Sequence, residues 1–300
     1  MTHEPIEHNL HGLLIIDKPG GITSRAALDR AMACFPRGTR MGHTGTLDPL
    51  ATGVLVLCVG NATRLAEYVQ RMRKIYHCVM RLGVRSNTDD SDGLVENVAH
   101  VEQPGIDGIG EALAGFIGTI EQVPPGFSAA KVSGKRAYAL ARSGKNVALA
   151  PRPVEIYGIE LLNYSYPLLE VEVRCGKGTY IRSLARDLGE KLGCGAIVET
   201  LRRMSVGPFR AEQAAALDSD LQTMRSMLLP GEAALSDLPR VVLDQESLRR
   251  LGCGQTIPLA VDLADDGEVA VFDDASRLMA VGRADVAQRL LTPEKVFFRP

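Results

Sequence analysis

Tryptophan is absent from this chain of 300 residues, and aromatic residues make up only 5% of it. Stacking surfaces are therefore scarce, and a tyrosine set among cations stands out. No apolar run approaches the roughly 18–20 residues of a membrane-spanning helix. The opening Met1-Thr2-His3-Glu4-Pro5 has neither a basic leader nor an apolar export segment. A cytoplasmic protein with no membrane partner is expected. Cys34, Cys58, Cys78, Cys175, Cys194 and Cys253 show no C-x-x-C spacing and sit mostly in apolar stretches. They read as reduced, buried thiols, not as disulfides or zinc ligands. The six histidines are scattered, so no metal site is expected.

What is present is an ordinary globular composition, 45% hydrophobic and 23% charged, long enough for one large domain or a large one plus a small one. The net charge of -2 is unevenly divided. Residues 211–300 hold 9 Lys and Arg against 15 Asp and Glu, whereas residues 1–210 hold 25 against 21. A mildly basic body with an acidic tail suits a nucleic-acid partner only weakly, and local clustering matters more.

The stretch Gly42-His43-Thr44-Gly45-Thr46-Leu47-Asp48-Pro49-Leu50-Ala51-Thr52-Gly53 organises the rest. It gathers a carboxylate, an imidazole, three hydroxyls and three glycines just before the apolar run 54–59, which reads as a buried strand. Pro49 biases Asp48 away from helical backbone. Asp48 is then either a reactive carboxylate at the mouth of a sheet or a simple turn cap.

Upstream, 12–17 reads as a strand and Lys18-Pro19-Gly20-Gly21 as a turn. Thr23 or Ser24 caps a helix whose apolar face is Ala27, Leu28, Ala31 and Met32. Downstream, a helix is predicted over 63–72, then a strand from Lys74 that alternates, with Tyr76 on one face and Ile75, His77 and Val79 on the other. Arg71, Arg73, Lys74, Arg81 and Arg85 surround that tyrosine, a pairing that fits phosphates and a stacked base as well as a solvated strand face. The segment 87–93 lacks the flanking helices and distal Glu of a calcium loop and reads as a polar turn. A helix is predicted over 107–119, followed by a long cationic stretch, 123–152, with Lys131, Lys135 and Arg136 and a short helix over 138–142. Strands at 154–162 and 169–175 lead through Gly176-Lys177-Gly178 to a helix capped by Thr179. Arg182 falls in its first turn, where the helix dipole favours anions. A carboxylate partner such as Asp48 explains it. Residues 200–209 add a further basic patch. Residues 211–238 read as a helical connector, and 239–300 as a small β-rich unit.

Together these motifs have a family. Asp17-Lys18-Pro19, the stretch 42–53, Lys74-Ile75-Tyr76, Val123-Pro124-Pro125, Gly178-Thr179-Tyr180-Ile181-Arg182 and Leu201-Arg202-Arg203 resemble, in order, the TruB-type tRNA pseudouridine synthases. The resemblance covers roughly residues 12–210. It implies an α+β fold: a mixed, mainly antiparallel sheet with flanking helices over 1–238, with an RNA-clamping insertion at 123–152. Residues 239–300 are similar to the PUA-type RNA-binding appendage. The implied activity converts one uridine, position 55 in the TΨC loop of tRNA, to pseudouridine without a metal or organic cofactor. The implied partner is the tRNA T-arm; the chain would act as a monomer with no obligate protein partner.

By the same resemblance Asp48 is the nucleophile, Arg182 its partner inside a pocket closed to water, and Tyr76 stacks on the extruded uracil and can handle its C5 proton. His43 fills or rearranges the space left by the flipped base. Tyr180 and Leu201 line the pocket, and Lys18, Lys131 and Arg202 join the substrate-binding set. Two departures stand out: Phe127 where the family carries tyrosine, and Gly176 where serine is usual. A non-catalytic tRNA-binding or folding chaperone on the same scaffold is the alternative reading. An aspartyl phosphotransferase would want magnesium ligands and a phosphate-cradling loop, and neither is legible.

Overall fold

The computed structural model describes residues 11–100, 102–128 and 149–298, together with the backbone of 131–132 and 135–136. The helix expected at 138–142 and the side chain of Lys131 lie outside the described residues.

Two strands that are apolar on both faces form the centre. β1 (Gly12–Lys18) and β3 (Thr52–Val59) pair antiparallel, and β2 (Met41–His43) adds to β3. Leu55, Leu57 and Val59 face one core, whereas Val54, Val56 and Cys58 face another. That double burial is why 54–59 is continuously apolar and does not alternate. β4 (Lys74–Leu82), by contrast, buries only its even residues, in keeping with its sequence alternation. The main sheet runs β14-β1-β3-β12-β4-β11-β10-β7, with β7 (Gly118–Gln122), β10 (Arg152–Ser165), β11 (Leu168–Cys175), β12 (Ala196–Val206) and β14 (Ala215–Ala216). Only β1/β14 and β3/β12 are parallel pairs, so the sheet is mixed and mainly antiparallel.

Helix α1 (Ser24–Met32) begins at Thr23, whose hydroxyl accepts from Ala26 N at 3.0 Å, as its sequence predicts. Other boundaries differ from expectation. The segment predicted as one helix over 63–72 is a 3-10 stretch, Gly60–Leu65, followed by α2 (Ala66–Arg71). Helix α3 (Ile106–Ala114) stops early because Gly115–Ile117 turns the chain and Gly118, at φ +105°, opens β7. The connector 211–238 is more than helical. Its β14 extends the sheet beside β1, and Leu13 and Leu229 exchange backbone hydrogen bonds at 2.8 Å. Most of the basic patch at 200–209 lies in β12, a central strand that buries Arg203 and leaves Arg202 half-buried.

A second sheet runs β15 (Arg240–Val242), β17 (Gly267–Phe272), β18 (Leu278–Asp285), β19 (Leu290–Val296), β16 (Ile257–Pro258), and packs on a helix at Gln245–Gly252. Its strand β17 is sandwiched. Val269 and Val271 face the small core, whereas Ala270 and Phe272 join Leu65, Tyr68, Met72 and Phe209 of the body. Polar contacts border this shared core. Tyr68 Oη donates to Glu268 Oε1 at 2.7 Å, Arg71 Nη1 donates to Glu268 Oε2 at 2.6 Å, and Lys295 pairs with Glu67. Among the described residues no helix is long and apolar enough to cross a membrane.

Candidate active site

The loop 44–51 is held by the backbone and by the buried Ser24 side chain. Ser24 Oγ donates to Leu47 O at 3.0 Å and accepts from Leu47 N at 2.7 Å. Gly21 N donates to Pro49 O at 2.8 Å, and Ala51 N closes a turn onto Asp48 O at 3.1 Å. Leu47 and Ala51 are buried on either side of Asp48, so the chain can point the carboxylate only outward from the core.

What it points at is Arg182. Helix α4 (Ile181–Lys191) follows Tyr180, and Arg182 in its first turn is 3% exposed. Arg182 Nε donates to Asp48 Oδ2 and Nη2 to Oδ1, both at 2.9 Å. Nη1 donates to Thr88 O at 2.8 Å and lies 3.4 Å from Asp90 Oδ2; Nη2 also donates to Phe127 O at 3.0 Å. Four guanidinium hydrogens thus have a hydrogen-bond acceptor, with Asp90 adding an ion pair, and the forked geometry with a carboxylate is the strong kind of ion pair. The expected cap at Thr179 does not form, since that hydroxyl donates instead to Gly176 O at 3.3 Å. Buried Gln122 takes its place, accepting from Tyr180 N at 2.8 Å and donating to Tyr180 O at 3.1 Å.

Asp48 opens into a cavity of about 340 Å³, lined also by His43, Tyr76, Tyr180, Leu201 and Arg203. The size suits a nucleobase or a small ring system. Tyr76 is 8% exposed, and burial pushes its phenol above the ordinary tyrosine range, with the nearby Arg203 opposing. It therefore stays protonated through neutral pH. Among the described residues no group of three His, Cys, Asp or Glu side chains is arranged to hold a metal ion.

The family model described as TruB family pseudouridylate synthase (N terminal domain) matches residues 34–181, and that of the tRNA pseudouridylate synthase B C-terminal domain matches 182–236. The chain belongs to the TruB family. A protein named tRNA pseudouridine synthase B from Xanthomonas axonopodis pv. citri is 43% identical over 296 residues, which is 96% of this chain and 94% of that one. Its namesake from Dehalococcoides mccartyi is 41% identical over 297 residues, 97% and 98% of the two chains. Among solved structures, a chain in a Cbf5-Nop10-Gar1 complex has the same fold: TM-score 0.74, 26% identity, 99% of this chain and 88% of that chain.

In this TruB-family chain, four of the residues singled out from sequence line one cavity with Asp48, namely Tyr76, His43, Tyr180 and Leu201, and Arg182 holds Asp48 from the buried side. Two do not. Lys18 is fully buried, and its ammonium donates to the carbonyls of Pro19 (2.8 Å), Ile22 (2.7 Å) and Pro49 (3.3 Å). It ties the turn after β1 to the Asp48 loop and has no hydrogen left for a substrate. Arg202 points away from the cavity, its guanidinium paired with Asp17 at 2.7 and 3.0 Å on the opposite face of β12.

The residue that does reach the TruB cavity is Arg203. It pairs in register with Tyr76, is 3% exposed, and donates to Val54 O at 2.7 Å and Gly45 O at 3.2 Å. A signal for it existed: once Leu201 is set facing the pocket, period-two alternation selects Arg203, not Arg202. The loop 87–93 was missed outright. Its Thr88 carbonyl and buried Asp90 complete the shell around Arg182, and burial holds the Asp90 carboxyl above the usual carboxylate range. Nothing in its local sequence marks it as more than a polar turn.

Proposed function

We propose that this chain isomerises uridine to pseudouridine at position 55, in the TΨC loop of tRNA, acting as a monomer without an obligate protein partner. One observation carries the reading. A single carboxylate, Asp48, is held bidentately by a buried arginine at the wall of a base-sized cavity that also presents Tyr76.

The reaction is an isomerisation, so its atoms balance without an outside donor. The C1′–N1 bond breaks, C1′ bonds to C5, the C5 proton leaves, and N1 gains one. Asp48 acts either by adding to ribose or base, or by taking a ribose proton to form a glycal. In both routes its negative charge is what is used, and the Arg182 fork fixes its aim. Tyr76, protonated and beside Arg203, gives the freed uracil a stacking surface and a hydroxyl near the departing C5 proton. Because the uridine starts inside a folded loop, it must first be flipped out at a cost of about a few kcal/mol. His43 on β2 stands at the cavity wall where that exchange occurs. The segment 123–152 grips the T-arm, and the unit at 239–300 serves as a PUA-like second RNA contact.

The non-catalytic alternative has no observation in its favour, and the pairing of Asp48 with Arg182 beside Tyr76 supports the catalytic reading. The test compares wild type with Asp48→Asn on an unmodified tRNA transcript in EDTA, mapping pseudouridine by its carbodiimide adduct. Modification by wild type alone, with both proteins binding tRNA, is expected. Binding without modification by either would leave only an RNA-binding protein.

A further inference from the structure

A second cleft, of about 710 Å³, adjoins the first, and Lys74 lines both. Its floor is Tyr157 on β10 and Arg174 on β11; its walls are Arg73 and the turn at Gly207-Pro208 on one side, and Ser236 and Asp237 on the other. The Arg73 guanidinium lies over the Tyr157 ring, 4.3 Å from its centre.

Two glycines make this arrangement possible. A Cβ at Gly158 would fall 3.0 Å from Arg174 Nη2, so the absence of one lets that guanidinium lie flat against the neighbouring strand. A Cβ at Gly176, which lines the first cavity, would fall 3.3 Å from Tyr157 Oη, so a side chain there would crowd the ring. The two cavities are therefore separated by little more than Gly176 and the Lys74 stem.

The cations of this cleft lack the carboxylate partners that several other arginines have. Arg71, Arg182, Arg186 and Arg202 each have a carboxylate partner. Arg73 and Arg174 are exposed and have none among the described residues, and neither has Lys177 at the junction between the cavities. The one acid on the wall, Asp237, accepts from Ser236 Oγ at 3.3 Å. A cleft with two unneutralised guanidinium forks and a half-exposed tyrosine, opening beside a base-sized cavity, is shaped for a polyanion with a base attached.

We propose that this cleft binds the phosphodiester backbone of the RNA strand next to the nucleotide held in the Asp48 cavity, with Arg73 and Arg174 each taking one phosphate. The site rests on the function proposed above and adds where the strand runs. Arg73 is pre-stacked on Tyr157, so little side-chain freedom is lost when the phosphate arrives.

The test reads salt dependence. Equilibrium binding of an unmodified tRNA transcript is measured from low to moderate salt for Arg73→Gln, Arg174→Gln and the double variant, all in the Asp48→Asn background to prevent turnover. Each lost phosphate contact should flatten the slope of log K against log salt by about 0.7–0.9, and the double variant by about twice that. Arg25→Gln, on the exposed face of α1 and paired with Asp29, is the charge control and should leave the slope unchanged. Thermal melting confirms that each variant is folded. An unchanged slope in the folded double variant overturns the proposal, as does an equal fall in Arg25→Gln. Failure of wild type to form pseudouridine would instead overturn the proposed function, and it is read by the carbodiimide assay, not by the slope.

Discussion

Both carboxylate oxygens of Asp48 are held by one guanidinium, that of Arg182, at 2.9 Å each, across 134 residues of sequence. The same guanidinium is pinned from behind by Thr88 O, Phe127 O and Asp90, so it cannot rotate without breaking several bonds at once. Arg182→Lys keeps the charge and loses the fork. The single-turnover rate on saturating tRNA should fall by about 10²–10³-fold, the scale of losing a preorganised donor. A fall of only a few-fold would show that charge alone, not bidentate aim, is required.

Arg186 lies one turn further along α4 and grips the same two segments. Its Nη1 donates to Asp89 Oδ2 at 3.0 Å and its Nη2 to Val123 O at 2.9 Å. It is a positioning residue that acts through the loops flanking Arg182. Arg186→Gln should lower the single-turnover rate by about tenfold with little change in KM, and Arg186→Lys, which keeps the Asp89 pair, should recover part of it. A change in melting temperature with no change in rate would mark Arg186 as structural only.

Gly53 and Gly21 separate strain from collision. Both have positive φ, +96° and +79°. A Cβ at Gly53 would fall 2.2 Å from Arg203 O, whereas one at Gly21 meets nothing within 4 Å. Gly21→Ala should cost about 1–2 kcal/mol, the left-handed backbone penalty alone. Gly53→Ala should cost about 3 kcal/mol or more, because β12 must move as well. Urea unfolding of the two variants gives the comparison, and equal costs would refute it.

The parts of this molecule legible in sequence are those set by local periodicity or by a rigid motif. The alternation around Tyr76 and the loop before Val54 specify their own conformation, and the Asp48–Arg182 pair followed from a misplaced charge at a helix start. Roles decided by long-range packing were not legible. Lys18 reads as a free cation because nothing nearby in sequence shows that Pro49 O will lie above it. Arg203 is separated from Arg202 only by alternation from Leu201, and it is the pairing of β12 with β4 that puts Leu201 and Arg203 on the side of Tyr76. The loop 87–93 gains its meaning only from α4, nearly a hundred residues later.

Stability should pass through a maximum near pH 9. Burial lowers both Lys18 and Lys74 to about 8, so between there and 10.5 the unfolded chain binds more protons and stability rises with pH. Burial raises the thiols of Cys58, to about 12, and of Cys175, to about 11, with Cys78 shifted in the same direction. Above pH 9 the unfolded thiols ionise while the folded ones do not, and stability falls. Urea midpoints across pH 7.5–10.5 give the curve. Cys58→Ala, by removing one opposing thiol, should move the maximum upward; a maximum that stays put would show that these thiols do not set it.

The shared core around Phe272 and Tyr68, with Glu268 accepting from both Tyr68 and Arg71, ties the C-terminal sheet to the body through apolar and polar contacts together. Those contacts set its offset from Asp48 when the chain folds, so an RNA bound as proposed above would meet a caliper of fixed gap. Any nucleic acid that touches both jaws must bring its own flexibility. The entropy of setting the gap is then lost at folding and not at binding, which favours a substrate whose two contact points are already the right distance apart.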